Sequence, residues 1–252
     1  MNEKHSSIVG MKMLIVGASS GIGRALAAAA HHRGADVALA ARRLDVLAPL
    51  AEQLSGTAHE LDISDPRAIE AVVDEVAARF GRLDALVFTS AVVPFALIED
   101  TDVTTWLHAY AVNAVGASHL LRAALPHLSP DSVAVVASSH DVGRPRVGVA
   151  AYHASKAALD EILRSWRAEH PELATIRVSV GPTEGTEILR GADRELLADL
   201  YRAWAQEGQI PARMSAVEDV ANSILSLVAM SRANPTVVCD IVRLAPRLQP
   251  AH

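Results

Sequence analysis

The stretch "KMLIVGASSGIGRALA" (residues 12–27) decides the fold, because a short apolar run leads into a glycine cluster and then into a helical pattern. Gly17 permits a tight turn out of a strand, Gly21 permits close approach of the backbone to a ligand, and Gly23 permits close packing of the helix. The free amides of a helix that starts near Ile22 favour a phosphate group. The stretch therefore predicts a strand–turn–helix unit that holds a pyrophosphate.

The remainder of the chain alternates short apolar runs with helical spacing. Further strands are predicted at residues 36–41, 57–62, 84–90, 132–139, 175–181 and 236–242. Helical patterns occupy residues 22–33, 44–54, 66–80, 104–125 and 217–230. Such alternation is typical of a parallel sheet with helices on both faces, and right-handed crossovers favour a doubly wound order. We predict an α/β protein with one Rossmann-type domain (12–252) of about seven strands, after a flexible tail (1–11) and with a flap at about 183–214.

Composition excludes several classes of protein. The 252 residues are half apolar, and 23 basic against 29 acidic residues give a net charge of −6, which argues against a nucleic-acid binder. Cys239 is the one cysteine, so no internal disulfide forms and a cytoplasmic location is expected, with this thiol buried in a strand. No apolar run reaches the ~20 residues of a membrane span. No histidine pair with ligand spacing has a third ligand, so no metal is expected.

The end of the second predicted strand bears on nucleotide preference. Folds that prefer NAD usually hold a carboxylate there, whereas this chain has Ala41 followed by Arg42 and Arg43. Guanidinium groups bind phosphate through two parallel hydrogen bonds, so the pair favours the 2′-phosphate of NADP(H), with NAD(H) possible. The alternative is two arginines at a solvated helix start. Asp62, at the end of the third run, is expected to contact the adenine ring.

Five motifs in order, "GASSGIG", "LDIS", "VNAVG", "SS" and "YHASK", resemble the short-chain dehydrogenase/reductase family from about Met13 to Val242. The resemblance implies a nicotinamide cofactor, a homodimer or homotetramer, and a catalytic asparagine, serine, tyrosine and lysine. Those residues match Asn113, Ser139, Tyr152 and Lys156. The family serine lies thirteen residues before the tyrosine, which selects Ser139 over its neighbour Ser138.

The chain departs from the family pattern at three places: "TSAVV" (residues 89–93), "GPTEGT" (181–186) and "HDVG" (140–143). The residues expected against the cofactor are Gly17, Ser19, Ser20, Gly21, Ile22, Gly23, Arg42, Arg43, Asp62, Ile63, Ser90, Ala91, Tyr152, Lys156, Pro182, Thr183 and Thr186. The residues expected against the substrate are Val93, His140, Asp141, Val142 and Ile188. The departures are expected to affect cofactor geometry and to define the substrate.

The predicted chemistry is proton transfer by a tyrosine during hydride transfer. The ordinary pKa of a tyrosine is about 10, and a nearby cation lowers it. Lys156 lies four residues after Tyr152, on the same helix face; the alternative is a surface pair on an ordinary helix. Ser139 would fix the substrate oxygen, and the resemblance implies that Asn113 holds a water.

These residues predict an NADP-dependent oxidoreductase that acts on a small-molecule carbonyl or secondary alcohol. The alternative is a non-catalytic NADP(H)-sensing protein with the same fold. A sugar-nucleotide epimerase or dehydratase ranks last, because its glycine turn would read G-x2-G-x2-G.

Overall fold

The sheet of the protein is parallel throughout. The structure is a computed structural model that describes residues 8–247, and within them the sheet has seven strands in the order β3-β2-β1-β4-β5-β6-β7. The strands are β1 (Lys12–Val16), β2 (Asp36–Ala41), β3 (Thr57–Glu60), β4 (Leu83–Phe88), β5 (Leu128–Ser139), β6 (Ala174–Val180) and β7 (Ile241–Leu244). The predicted fold class is therefore confirmed.

Helices cover both faces of the sheet. They are α1 (Gly21–His32), α2 (Leu44–Gln53), α3 (Pro66–Phe80), α4 (Val103–Tyr110), α5 (Gly116–Ala124), α6 (Ala150–Glu169), α7 (Arg194–Gln206) and α8 (Val217–Ala233). Met13 and Ile15 of β1 pack on the face covered by α1, α2 and α8, while Leu14 and Val16 pack on the face of α3, α5 and α6. Burial on both faces explains why the inner strands are continuous apolar runs.

The connections place a crevice at the centre of the sheet. The chain leaves β1 towards β2 and β3 on one side and then crosses back to β4 on the other. Ligands of doubly wound sheets bind at this reversal, outside the carboxyl ends of the strands. Gly17 follows β1 there and Thr89 follows β4, so the glycine turn and the "TSAVV" loop face each other.

The helical pattern predicted for residues 104–125 is interrupted. One π-helical turn, Ala111–Val115, separates α4 from α5, and a short 3₁₀ turn, Leu125–His127, follows α5. Asn113 lies in the middle of the π turn and is fully buried. Such turns shift the register by one residue and frequently occur at functional sites. The shift is invisible to a count of helical periods, so the sequence predicted one continuous helix.

The two ends of the domain also differ from the prediction. Ile8 and Met11 are buried in the core and the amide of Gly10 donates to the carbonyl of Gly34 (2.7 Å), so the expected loose tail is wrong for residues 8–11. Residues 1–7 lie outside the described residues. The last strand is Ile241–Leu244 rather than residues 236–242, and Cys239 before it is only partly buried.

The segment predicted as a flap is built around α7. Leu200 and Trp204 are its buried side chains, and they pack with Val149, Val93 and Phe95 in a small cluster separate from the two main cores. The indole Nε1 of Trp204 donates to the carbonyl of Val147 (2.9 Å). The helix therefore forms one wall above the carboxyl edge of the sheet. No helix in residues 8–247 has both the length and the apolar character to cross a membrane.

Candidate active site

A cleft of about 1320 Å³ lies at the carboxyl edge of the sheet. It brings together the residues predicted to bind a cofactor: Gly17, Ser19, Ser20, Gly21, Ile22, Gly23, Arg42, Arg43, Asp62, Ile63, Ser90, Ala91, Tyr152, Lys156, Pro182, Thr183 and Thr186. Ser139 and three of the predicted substrate residues, Val93, Asp141 and Ile188, also line it. His140 and Val142 instead line a separate cavity that shares Ser139 with the cleft, so the structure does not bring them to the expected position.

The glycine turn has the backbone that the sequence predicted. Gly17 (φ +92°) and Gly21 (φ +52°) adopt left-handed conformations that favour glycine. Gly23 has an ordinary helical backbone, but a Cβ atom there would lie 2.3 Å from the carbonyl oxygen of Gly17 and 2.6 Å from Oγ1 of Thr89. The turn therefore lies directly against the end of β4, with the first amides of α1 facing the cleft.

The "TSAVV" loop is held by two contacts. Oγ1 of Thr89 donates to the carbonyl of Val16 (2.9 Å), which ties the end of β4 to β1. The side chain of Asn113 accepts from the amide of Val92 and donates to its carbonyl, both at 2.8 Å. Its Nδ2 also donates to Oγ of Ser155 on α6 (2.9 Å). In this arrangement Asn113 links the loop to α6, and the water that the resemblance implies stays a prediction.

Tyr152 lies in the first turn of α6, beside Ser139 at the end of β5. Burial raises the pKa of the Tyr152 phenol above its ordinary value, and the charge of Asp141 raises it further. A hydrogen bond with the Ser139 side chain and the charge of Arg146 lower that pKa. The phenol is therefore held protonated near neutral pH, as an acid that donates to a substrate oxygen must be.

Lys156 is buried at the floor of the cleft, with 2 % of its surface exposed. Its Nζ donates to the carbonyl of Ala137 (2.9 Å). Burial lowers the pKa of Lys156 to about 8, and the nearby carboxylate of Asp160 partly opposes this. The expected lowering of the Tyr152 pKa by Lys156 is not found in the structure, because that pKa is raised and the charges that act on it are those of Asp141 and Arg146.

A buried network explains why Ser139 rather than Ser138 is the candidate serine. Oγ of Ser138 donates to Oδ1 of Asp160 (2.5 Å), and Nη1 of Arg177 lies 2.5 Å from Oδ2 of the same carboxylate. The hydroxyl of Ser138 is therefore engaged in holding β5, α6 and β6 together. Oγ of Ser139 accepts from the amide of Asp141 (3.1 Å) and is left to donate at the cleft.

An ion pair crosses the cleft near the glycine turn. Nη2 of Arg43 lies 2.6 Å from Oε2 of Glu187, in the segment before α7, and donates to Oγ of Ser19 (3.2 Å). The hydrogen bond from Arg43 lowers the pKa of Glu187. Among the described residues, the side chain of Arg42 has no hydrogen-bond or ion-pair partner, although its charge contributes to a lowered pKa at Asp62. One of the two predicted phosphate ligands is thus engaged by the flap.

The end of the cleft near Asp141 contains side chains that the sequence reasoning missed. Arg146 Nη2 lies 3.0 Å from Oδ1 of Asp141, and its guanidinium lies 5.9 Å from the ring centre of Trp204. Tyr201 and His153 also line this end. The arginine-rich "GRPR" after β5 is a signal that could have indicated Arg146, but the contribution of α7 depends on a contact that local patterns do not encode.

The described residues contain no group of three or more His, Cys, Asp or Glu side chains placed to hold a metal ion. The polar groups that line the cleft include the phenol of Tyr152, the hydroxyl of Ser139 and the ammonium group of Lys156. The expected absence of a metal from the functional protein stays a prediction.

Residues 17–238 match a family model described as enoyl-(acyl carrier protein) reductase. A glycine betaine reductase of Emericella nidulans is 32 % identical over 96 % of the chain, and an 11-beta-hydroxysteroid dehydrogenase A of Sesamum indicum is 33 % identical over 73 %. The chain spans only 19 % of the fungal relative and 55 % of the plant relative. The activities and partners of those whole proteins therefore do not transfer directly.

Solved structures share the fold over almost the whole chain. A dehydrogenase/reductase from Sinorhizobium meliloti has a TM-score of 0.82 at 24 % identity, with 95 % of each chain covered. A short-chain dehydrogenase from Burkholderia cenocepacia, solved in complex with NADP, has a TM-score of 0.80 at 26 % identity and covers 94 % of this chain and 97 % of its own. The fold of the chain is therefore one that solved dehydrogenase structures also adopt.

Proposed function

Because the chain belongs to the short-chain dehydrogenase/reductase family, we propose that it is an NADP(H)-dependent enzyme that interconverts a carbonyl compound and a secondary alcohol. One observation carries the proposal: Ser139, Tyr152 and Lys156 converge in the same cleft as the glycine turn. When bound, the nicotinamide supplies or accepts the hydride. The side chains of the cleft orient the substrate and transfer the proton.

The residues present fit a dinucleotide. The amide of Gly17 donates to the carbonyl of Ala40 (2.8 Å), so the amides left for a pyrophosphate are those of the first turn of α1, which begins at Gly21. Arg42 and Arg43 lie at the carboxyl end of β2, where they would bind a 2′-phosphate. Thr183 and Thr186 line the same cleft, and Thr186 lies close to Gly21, so both would contact the bound dinucleotide.

The proton path in our proposal runs through Tyr152. During reduction the phenol donates its proton to the oxygen that was the carbonyl, and during oxidation the phenolate takes the alcohol proton back. Ser139 donates a hydrogen bond to the same oxygen and so stabilises the negative charge that develops on it. Lys156 contributes a positive charge under the ribose side of the cleft.

Nucleotide preference tests the role of the two arginines. We expect Arg42→Ala with Arg43→Ala to weaken NADPH binding at least about tenfold, since each charge-assisted contact contributes about 1.5–3 kcal/mol. NADH lacks the phosphate, so its affinity should change little. Fluorescence titration with both nucleotides measures the two losses, and equal losses would contradict an NADP preference.

The ion pair between Arg43 and Glu187 predicts an effect of opposite sign. The carboxylate competes with a 2′-phosphate for the same guanidinium. We expect Glu187→Gln to tighten NADPH binding and to leave NADH binding unchanged. Glu184→Gln in the same segment serves as the matched control. Tightening of both nucleotides would indicate a general opening of the flap instead.

The charges beside Tyr152 predict paired shifts in pH dependence. Arg146 lowers the pKa of Tyr152 and Asp141 raises it. Alcohol oxidation needs the phenolate, so Arg146→Gln should move the rise in kcat/KM to higher pH and Asp141→Asn should move it to lower pH. The pH profiles of oxidation measure both shifts. Shifts of the same sign would show that neither charge acts through the phenol.

The side chains around the reacting end of the cleft indicate the class of substrate. The reacting end of the cleft is lined by apolar Val93 and Phe95 and by the ion pair of Asp141 with Arg146, which has no net charge. Such a lining suits an uncharged carbonyl compound.

The surface of α4 and the π turn carries three exposed apolar side chains, Val103, Leu107 and Val115. We propose that this helical face forms a homodimer or homotetramer and that the enzyme works in the cytoplasm.

A further inference from the structure

A second cavity, of about 340 Å³, shares Ser139 with the cleft. It is lined by Ser139, His140, Val142, Arg144, Asp160, Arg164, Arg177, Ser179 and Arg243. Four guanidinium groups from the loop after β5, α6, β6 and β7 thus converge on a space that contains one lining carboxylate. The proposed oxidoreductase chemistry uses none of these arginines.

The positive charge of this cavity is only partly neutralised. Arg177 is paired with Asp160, and Arg164 is paired with Glu161 one turn away on α6. The side chains of Arg144 and Arg243 have no hydrogen-bond or ion-pair partner among residues 8–247. Like charges that converge without counterions repel one another, and a bound anion would relieve that repulsion.

An unsatisfied buried donor lies at the same place. About nine-tenths of the Arg177 side chain is buried, and its Nε has no hydrogen-bond partner among the described residues. A buried donor without an acceptor costs about 1–3 kcal/mol. Native proteins usually satisfy such groups, so this guanidinium nitrogen needs an acceptor from a water or from a ligand.

His140 lines the same cavity with an imidazole ring. Burial lowers its pKa, and the charges of Arg243, Arg144 and Arg146 lower it further, against the opposing charge of Asp141. A neutral imidazole adds no cation to the cluster and offers a hydrogen bond. The ligand that matches this lining is compact, carries more than one negative charge and presents several oxygen acceptors.

We propose that this cavity is a binding site for a small multivalent oxyanion, held by Arg144, Arg177 and Arg243. Guanidinium groups recognise phosphate and carboxylate oxygens with the same forked geometry, so a phosphorylated metabolite and a polycarboxylate share the required chemistry. The volume excludes a dinucleotide and admits an ion of the size of phosphate or citrate. This site is separate from the proposed cofactor site.

The site is connected to the catalytic serine. Arg177 holds Asp160, Asp160 holds Ser138, and Ser139 is the next residue. An anion that binds Arg177 would share that guanidinium with Asp160 and so alter the position of β5. An effect on turnover rests on the proposed function, whereas binding itself does not.

The experiment is calorimetric titration of the full chain with inorganic phosphate and, separately, with citrate, at constant ionic strength. We expect saturable binding of at least one of them and a loss of about tenfold or more in affinity for Arg243→Gln, because one charge-assisted contact is removed. Arg243 is exposed, so the variant should fold normally. Arg79→Gln, an exposed arginine on α3, is the matched control and should bind like the parent protein.

Phosphate is also expected to bind weakly at the proposed cofactor site, so Arg43→Ala is measured in parallel. Anion binding that Arg243→Gln abolishes and Arg43→Ala retains supports the second site. Binding that Arg43→Ala abolishes and Arg243→Gln retains overturns it, as does the absence of saturable binding for both anions. Tight citrate with no phosphate binding identifies the polycarboxylate as the preferred source.

Discussion

Replacement of Tyr152 by phenylalanine is expected to reduce turnover by about 10²–10⁴-fold, the usual contribution of a positioned general acid or base. The phenol is the group that donates the proton, whereas the ring fills the same space in either residue. The Tyr152 carbonyl, which accepts from Oγ of Ser155 (2.8 Å), is unaffected by the change. NADPH binding should therefore survive. Nicotinamide absorbance with a panel of carbonyls and alcohols measures turnover, and fluorescence titration measures binding.

Tyr110→Phe is the matched control, because Tyr110 ends α4 and is not among the residues that line the cleft. Its turnover should remain close to that of the parent enzyme. Turnover that persists in Tyr152→Phe would contradict the proposed mechanism. A parent protein that binds NADPH but turns over nothing in the panel would instead support a non-catalytic NADP(H) sensor.

Gly23→Ala is expected to have the second largest effect. Helix propensity alone would favour alanine in the interior of a helix by about 1 kcal/mol. The added Cβ atom, however, would lie 2.3 Å from a backbone oxygen that cannot move without the turn at Gly17. We expect a net loss of about 1–3 kcal/mol in the free energy of unfolding, typical of overpacking, and at least about tenfold weaker NADPH binding.

Urea denaturation followed by circular dichroism measures the first effect and nucleotide titration the second. Gly81→Ala is the control. Gly81 has a left-handed backbone (φ +74°), and a Cβ atom added there would meet no other atom within 4 Å, so alanine should cost about 1 kcal/mol through strain. It lies at the end of α3, away from the cleft, and NADPH affinity should not change. Stabilisation by Gly23→Ala would show that propensity outweighs the clash.

Local sequence patterns were sufficient to predict the order of strands and helices along the chain and the position of the glycine turn. The reason is that the inner strands are buried on both faces, so their composition reports the fold directly. Val237 and Val238 misled the strand prediction, because β-branched residues favour strands wherever they lie. In the structure both are more than two-fifths exposed, and pairing with β6 begins only where Ile241 meets Arg177.

The parts of the site that were missed depend on contacts between distant residues. Arg43 and Glu187 are 144 residues apart, and Trp204 reaches the reacting end only because α7 packs on Val149. Periodicity describes one element at a time, so it does not report which surfaces meet. The role of Asn113 was inferred from a resemblance, whereas its contacts with Val92 and Ser155 became visible only in three dimensions.

The way Asn113 holds the "TSAVV" loop has an evolutionary consequence. Within the loop, the side-chain amide of Asn113 bonds to the backbone N–H and C=O of Val92, and every residue except proline offers the same pair of groups. The loop can therefore exchange one side chain for another without losing its shape. Substitutions at position 92 can therefore change the wall of the cleft during evolution. Asn113 would still hold the loop and α6 in place.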